Sequence, residues 1–201
     1  MSNLIDEFKE QAHKAASNDG ALRDLVEDLS GTSRRNRQHA ASVMKELAKQ
    51  DPAVAVPFIP HLVEALEVKE AQTKWESLDA LSALVAADSS ACERAVPGAE
   101  ACLFDEGDNG LLRFSAFRFL CTLGSTSKER SAAVWPLIDE AVQCYHGDPE
   151  FMDMLGAVQD FAGGNVEDSV KEELKNRMAF DAKNSRGALQ RRAAAIVEVC
   201  S

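Results

Sequence analysis

The apolar residues of this chain recur at spacings of three, which places them on one face of an α-helix. In the stretch "HAASVMKEL" that face carries Ala41, Met44 and Leu47. Equivalent sets return 37 to 39 residues apart, at Leu78, Leu81 and Leu84, at Phe117, Leu120 and Leu123, and at Leu155, Val158 and Phe161. A last set stands at Ala193, Ile196 and Val199. The pattern predicts a tandem series of amphipathic helices with a period near 38 residues.

A second helix is predicted after each of the first four. Thirteen residues after the last member of each set stand Pro60, Pro97, Pro136 and Leu174, and six residues further on stand Leu66, Leu103, Val142 and Phe180. A proline in the first turn of a helix removes no intrahelical hydrogen bond, and a proline further in bends the helix. The recurring proline therefore marks one structural position, early in the second helix of each pair. Leu29, which lies 37 residues before Leu66, indicates a leading unit.

The segments between these helices have the residues expected of connectors. Asp51 is placed to cap a helix that has Pro52 at its first position. The segment 105–110 is rich in turn residues, and Asn165 followed by Glu167 and Asp168 is typical of a helix start. We expect ten to eleven helices and no strands.

This organisation resembles the HEAT-like repeat family of the ARM/HEAT superfamily. The resemblance implies an all-α, α-α superhelix, a HEAT-like repeat solenoid of about five helix pairs, in which we call the two helices of a pair A and B. We expect a single domain over residues 1–201, with capping helices in 1–31, repeats in 33–180 and a capping helix in 184–200. An unrelated helical bundle is the alternative.

Composition narrows the classes of function. The chain has 33 acidic and 22 basic residues, a net charge of −11, which makes phosphate neutralisation and therefore nucleic-acid binding unfavourable. It has no apolar run long enough to span a bilayer. Its five cysteines lie at least ten residues apart and show no metal-ligand spacing. We expect a cytoplasmic protein with reduced cysteines and with no metal, cofactor or membrane association.

Acidic residues are the candidate partner-binding groups. The resemblance implies that B helices line the concave face of the array. The acids near the proline positions are Glu64, Glu67, Glu100, Asp139 and Glu140. Such a face suits a basic or amphipathic protein segment. The alternative is that these acids only keep the array soluble.

Two basic clusters are candidate anion-binding sites, because each precedes or opens a predicted A helix. The first holds Arg34, Arg35 and Arg37, and the second holds Arg191 and Arg192. The alternative is a solvated face, or ion pairs with acids of the neighbouring unit.

One further constellation is similar to the HEAT-like DNA alkylation-repair glycosylase family. Trp75 and Asp79 are four residues apart in "TKWESLD", as in the helix of that family that lines a cleft for damaged DNA. The family has an arginine in the next repeat, where this chain offers Arg113 one position out of phase. The chain has no tryptophan in the repeat after that. A packed Trp75 and a surface Asp79 are the alternative.

We therefore predict a non-catalytic scaffold for protein–protein interaction, whose acidic concave surface binds a basic or amphipathic segment of a protein partner. A glycosylase-like protein, or its inactive relative, and a structural self-assembling subunit stay open as alternatives.

Overall fold

The computed structural model describes residues 2–107 and 109–201, with side chains from residue 4 onward. Met1, inside the predicted cap 1–31, and Asp108, inside the predicted connector 105–110, lie outside the described residues. The described part of the chain is 82% helical and has no strand. The predicted all-α fold class is confirmed.

Eleven helical segments follow one another in the described ranges, in agreement with the predicted ten to eleven. In chain order they are α1 (Ser2–Ala16), α2 (Asp19–Ser30), α3 (Arg34–Gln50), α4 (52–67), α5 (Ala71–Leu84), α6 (89–103), α7 (Gly110–Gly124), α8 (Lys128–Cys144), α9 (Phe151–Ala162), α10 (Asp168–Asn184) and α11 (Gly187–Val199). Two of them alternate α and 3-10 turns. Segment α4 consists of Pro52–Ala55, Val56–Phe58, Ile59–Glu64 and Ala65–Glu67, and α6 of Ser89–Cys92, Glu93–Ala95 and Val96–Leu103.

The helices form two compact units, one up to Ala116 and one from Phe117 to Ser201, with the boundary inside α7. In the first unit, α1 and α2 pack against α3, and α3 packs against α5. In the second unit, α8 packs against α9 and α10, and α11 packs against both α9 and α10. The single-domain organisation stays a prediction beside this division.

The predicted sets of apolar residues on the A helices, which we call the A-helix columns, form the core of each unit. All twelve residues of the first four predicted sets are at most 1% exposed. In the fifth set Ala193 and Ile196 are fully buried, but Val199 is 40% exposed because α11 ends at this residue. The apolar periodicity of the A helices therefore locates the core, and among these sets it fails only at the last turn of α11.

The three prolines share one position, as predicted, but it is the ninth residue of α4, α6 and α8, so the prediction that they stand early in the B helix is wrong. Pro60, Pro97 and Pro136 are all exposed, whereas Leu66, Leu103 and Val142, six residues after them, are buried. A 3-10 turn precedes both Pro60 and Pro97, so each stands second in a new α-helical segment, where no carbonyl needs its missing N–H. Pro136 lies inside the uninterrupted helix α8.

The predicted alignment of the fourth B helix is wrong by two residues. Leu174 is fully buried, unlike the prolines it was aligned with, and Phe180 is 71% exposed. Helix α10 begins seven residues after Phe161, whereas α8 begins five residues after Leu123. The connector before α10 is thus two residues longer, and Asn176 takes the exposed position of Pro136. For the same reason the helix does not start at Asn165; its N-cap is Glu167.

This longer connector is fixed against the turn before α8 and against the first turn of that helix. The backbone N–H of Asn165 donates to the carbonyl oxygen of Ser125 at 2.7 Å, and the N–H of Glu167 donates to Oγ of Ser131 at 2.9 Å. Lys128 Nζ lies 3.1 Å from Oδ2 of Asp168. A Cβ on Gly164 would lie 2.5 Å from the Ser125 carbonyl oxygen and 3.0 Å from its Cα. Only glycine fits this approach of backbone to backbone.

We predict that Gly164→Ala lowers the stability of the second unit by about 1–3 kcal/mol, because the new methyl group displaces backbone rather than a side-chain end. Urea unfolding followed by circular dichroism measures the change as a lower midpoint. Gly163→Ala is the matched control, since its Cβ would meet no atom closer than 3.5 Å. Equal midpoints for the two variants would contradict the close approach.

Candidate functional site

In each unit, the B helices expose a row of residues around the proline position, and we call these residues of the two units the B stripe. In the first unit it comprises Pro57, Pro60, Glu64 and Glu67 of α4 and Arg94, Pro97, Glu100 and Ala101 of α6. In the second unit it comprises Pro136, Glu140 and Gln143 of α8 and Glu173, Asn176, Arg177, Phe180 and Lys183 of α10. These residues lie opposite the buried columns, because three to four residues make one turn. Acids outnumber bases three to one in the first unit, and the second unit mixes both signs.

A pocket of about 460 Å³ lies between the two B helices of the second unit. Its lining residues are Asp139 from α8 and Glu173, Asn176, Arg177 and Phe180 from α10. The pocket thus combines two carboxylates, a guanidinium, an amide and an exposed aromatic ring. A site of this composition suits a polar or cationic side chain with an apolar stem.

Asp139 is already paired inside this pocket. Arg177 donates from Nε to Oδ1 at 2.7 Å and from Nη2 to Oδ2 at 2.9 Å, which is a two-pronged guanidinium–carboxylate contact. Gln143 Nε2 donates to Oδ2 as well, at 3.0 Å. The hydrogen bond to Asp139 raises the pKa of Arg177 above its usual range. Asp139, predicted as a partner-binding acid, therefore has an intramolecular partner.

Glu173, on the other wall, is held by a buried tryptophan. Trp135 Nε1 donates to Oε2 of Glu173 at 2.6 Å. The indole is 5% exposed and lies parallel to the ring of Phe161, with 6.5 Å between the ring centroids. Because the donor is fixed by packing, the exposed carboxylate of Glu173 has a defined position at the rim of the pocket.

The first unit has two smaller grooves, between α2 and α4. One, of about 350 Å³, is lined by Phe58 of α4 and by α2 residues that include Leu22, Val26 and Glu27. The other, of about 170 Å³, includes His61 and Glu64 of α4 and Arg37 of α3. Helix α2 occupies the B position of the leading unit. The two grooves beside it and the pocket between α8 and α10 therefore each lie between consecutive B helices.

The structure places the remaining predicted acids in water. Glu64, Glu67, Glu100 and Glu140 are exposed members of the B stripe. The Glu64 carboxylate lies 3.8 Å from Nδ1 of His61. Together with Glu173, these side chains are accessible to a cationic ligand.

Some arginines of the two basic clusters are exposed, and the others make hydrogen bonds within the chain. Arg34, Arg35 and Arg191 are exposed. Arg37 donates to the carbonyl oxygen of Gly31 at 2.7 Å and to Oε1 of Glu70 at 2.5 Å, so it joins the end of α2 to the start of α5. Arg192 donates to Oε1 of Gln159 at 3.2 Å. An anion site stays a prediction for the exposed arginines.

Trp75 and Asp79 lie one turn apart on α5, both half-buried, and Arg113 is buried on α7. None of these three side chains lines the pockets described above. The glycosylase-like arrangement stays a prediction that this geometry does not strengthen.

Sequence reasoning missed the pairing of Asp139 with Arg177 and the pairing of Trp135 with Glu173. Both pairs join residues 38 apart, which is the predicted period. A search for complementary side chains one period apart would have found them. It also missed the exposure of Phe180, which depends on the longer connector.

Cysteine, metal and membrane chemistry do not define a site in the described ranges. No group of three or more His, Cys, Asp or Glu residues among them is placed to hold a metal ion. No helix in those ranges combines the length and apolar character needed to cross a membrane. Burial raises the pKa of the Cys92 thiol to about 12, that of Cys102 to about 11 and that of Cys121 well above its usual range.

No protein family and no curated protein matches the sequence. Solved structures do match the fold. A designed armadillo repeat protein in complex with the peptide (KR)4 has a TM-score of 0.76 at 15% identity, covering 98% of this chain and 91% of that chain. Another designed armadillo repeat protein has a TM-score of 0.72 at 13% identity, covering 100% and 94%. The archaeal HEAT-like repeats protein from Thermococcus onnurineus NA1 has a TM-score of 0.56 at 11% identity, covering 99% and 96%. The chain therefore has an armadillo/HEAT-like helical-repeat fold.

We predict that a thiol reagent at pH 8 labels Cys144 of the folded protein, which is exposed, before the other cysteines. Cys92, Cys102 and Cys121 are buried and protonated at this pH, so they should react only after unfolding in urea. Mass spectrometry of the alkylated peptides identifies each site. Labelling of these three at the rate of Cys144 would show that the core is open.

We predict that Arg37→Gln destabilises the first unit more than Arg35→Gln, a matched change at an exposed arginine. The hydrogen bond from Arg37 lowers the pKa of the Glu70 carboxyl from its usual 4.5. The stabilisation is therefore present above pH 4.5 and is lost as pH falls through the folded-state pKa. Urea midpoints from pH 7 down to 3 should show the difference between Arg37→Gln and the parent shrinking in acid. A constant difference would contradict this linkage.

Proposed function

We propose that this protein is a non-catalytic scaffold whose B stripe binds a basic or amphipathic segment of another protein. The observation that carries the proposal is the combination, in each compact unit, of grooves between consecutive B helices with exposed carboxylates at their edges. Repeat proteins place many equivalent surface positions on rigid helices, and this suits an extended ligand that makes several similar contacts.

The first unit contributes charge to this surface. Glu64, Glu67 and Glu100 are exposed on α4 and α6, and Glu64 also lines the smaller groove. An array of carboxylates with one interspersed arginine attracts a cationic segment and discriminates against an acidic one. The net charge of −11 acts in the same direction at longer range.

The second unit contributes shape and aromatic surface. Its groove holds the ring of Phe180 beside the carboxylates of Asp139 and Glu173. Arginine and lysine side chains lay their apolar stems on such a ring while their charged ends reach the carboxylates. The designed armadillo repeat protein with a comparable fold was solved with a peptide that alternates lysine and arginine. That peptide is therefore a suitable probe for this chain.

We predict that a fluorescein-labelled (KR)4 peptide binds the folded protein and that Glu64→Lys or Glu140→Lys weakens binding about three- to tenfold at low salt. Fluorescence anisotropy titration measures the dissociation constant. Added salt should weaken binding by the parent protein, because exposed charges are screened.

Glu10→Lys and Glu198→Lys are the matched controls, since both alter exposed acids outside the B stripe by the same change in charge. They should weaken binding less than about twofold, because a charge outside the B stripe lies further from the bound peptide and is screened by salt. Equal losses in all four variants would reduce the effect to net charge, and absence of binding by the parent would overturn the proposal.

A further inference from the structure

We propose that the groove between α8 and α10 is an arginine-binding site which the chain's own Arg177 occupies, so that an arginine of a basic partner binds there by displacing Arg177 from Asp139. This inference rests on the proposed function, and it names one recognition site and the contact that restrains it. We call this site the Asp139 groove; its lining residues are Asp139, Glu173, Asn176, Arg177 and Phe180.

The geometry of Asp139 supports an arginine as the preferred ligand. Both of its carboxylate oxygens accept from one guanidinium, through Nε at 2.7 Å and Nη2 at 2.9 Å. This side-on contact is available to any arginine that approaches along the same line, and a lysine ammonium cannot reproduce it. The intramolecular pair therefore shows the contact that an incoming arginine would make with Asp139.

The same geometry requires displacement rather than addition. A carboxylate offers about four lone-pair positions. Arg177 takes two of them and Gln143 Nε2, at 3.0 Å from Oδ2, takes a third. A second guanidinium cannot make the two-pronged contact while Arg177 keeps its own.

Displacement is feasible because the pair is in contact with water. The side chains of Arg177 and Asp139 are 38% and 23% exposed. An ion pair at such exposure contributes little net stability, and a freed Arg177 on the outside of α10 regains hydration. The free-energy change of replacing one guanidinium by another at Asp139 is then close to zero. Other contacts in the groove decide which arginine is bound.

Those other contacts favour the incoming side chain. The carboxylate of Glu173 is fixed by the indole N–H of Trp135 at 2.6 Å. Phe180 presents a ring that is 71% exposed, on which a guanidinium plane stacks favourably. The charged lining residues sum to −1 with Arg177 in place and to −2 without its charge. Arg177 thus lowers the attraction of the groove for cations until it is displaced.

The test is to remove the internal competitor. Arg177→Gln should strengthen binding of a fluorescein-labelled oligo-arginine peptide about fivefold, as measured by anisotropy. The gain for an oligo-lysine peptide of the same length should be smaller, at about twofold. Arg191→Gln is the matched control, because it removes the same charge from an exposed position on α11; it should change either affinity less than about twofold.

Two further variants assign the gain to Asp139. Adding Asp139→Asn to Arg177→Gln should abolish the gain, because the freed carboxylate is its source. Arg177→Lys keeps the charge but loses the two-pronged contact, and it should give an intermediate affinity. Far-ultraviolet circular dichroism and urea midpoints confirm that each variant folds, which the exposure of the pair leads us to expect.

The outcomes separate this inference from the proposed function. If the parent binds the basic peptides and Arg177→Gln binds them equally or more weakly, the displacement site is overturned and the scaffold function stands. If the gain in Arg177→Gln equals that in Arg191→Gln, net charge explains it and the site is likewise overturned. If neither the parent nor Arg177→Gln binds any basic peptide, both proposals are overturned.

Discussion

Burial of one apolar column per helix against the next helix of the same unit is the constraint on which the rest of this structure depends. A single helix pair of this length exposes too much apolar surface to fold alone, so its stability comes from stacking. The twelve A-helix residues of the first four sets are at most 1% exposed, and they hold the register of the pairs. Once that register is set, the side of each B helix that lies opposite its buried residues must face solvent.

That constraint explains why so much of the fold is readable from the sequence. Helical spacing and burial act on the same residues, so Leu47, Leu84, Leu123 and Phe161 are found by pattern alone. The fourth B helix was misaligned because connector length leaves no mark on a helical face. Two extra residues before α10 moved Leu174 into the core and Phe180 to the surface. The sequence signal that indicated this shift was the alignment of an apolar residue, Leu174, with three prolines.

The candidate site was only half predictable, for a different reason. Exposure of Glu64 or Glu140 follows from helical phase, which is a local property. The partner of a charge is not local: Asp139 meets Arg177 from the next B helix, and Arg37 meets Glu70 from the next A helix. Whether such groups touch depends on the distance between helices and on rotamers. A sequence therefore shows where charge lies but not whether it is already neutralised within the chain.

The unequal connector also decides where this chain can be cut and rejoined. If two repeats are exchanged with the junctions at Leu123 and Phe161, the helices stay in phase. The spacing of the A-helix columns keeps the same period up to Phe161. Units exchanged at Pro136 and Leu174 would be joined two residues out of register, a rotation of about 200° for the helix that follows. Its apolar face would then point to solvent. A repeat array built from this sequence is therefore modular at its A helices and at its three prolines, but not at Leu174.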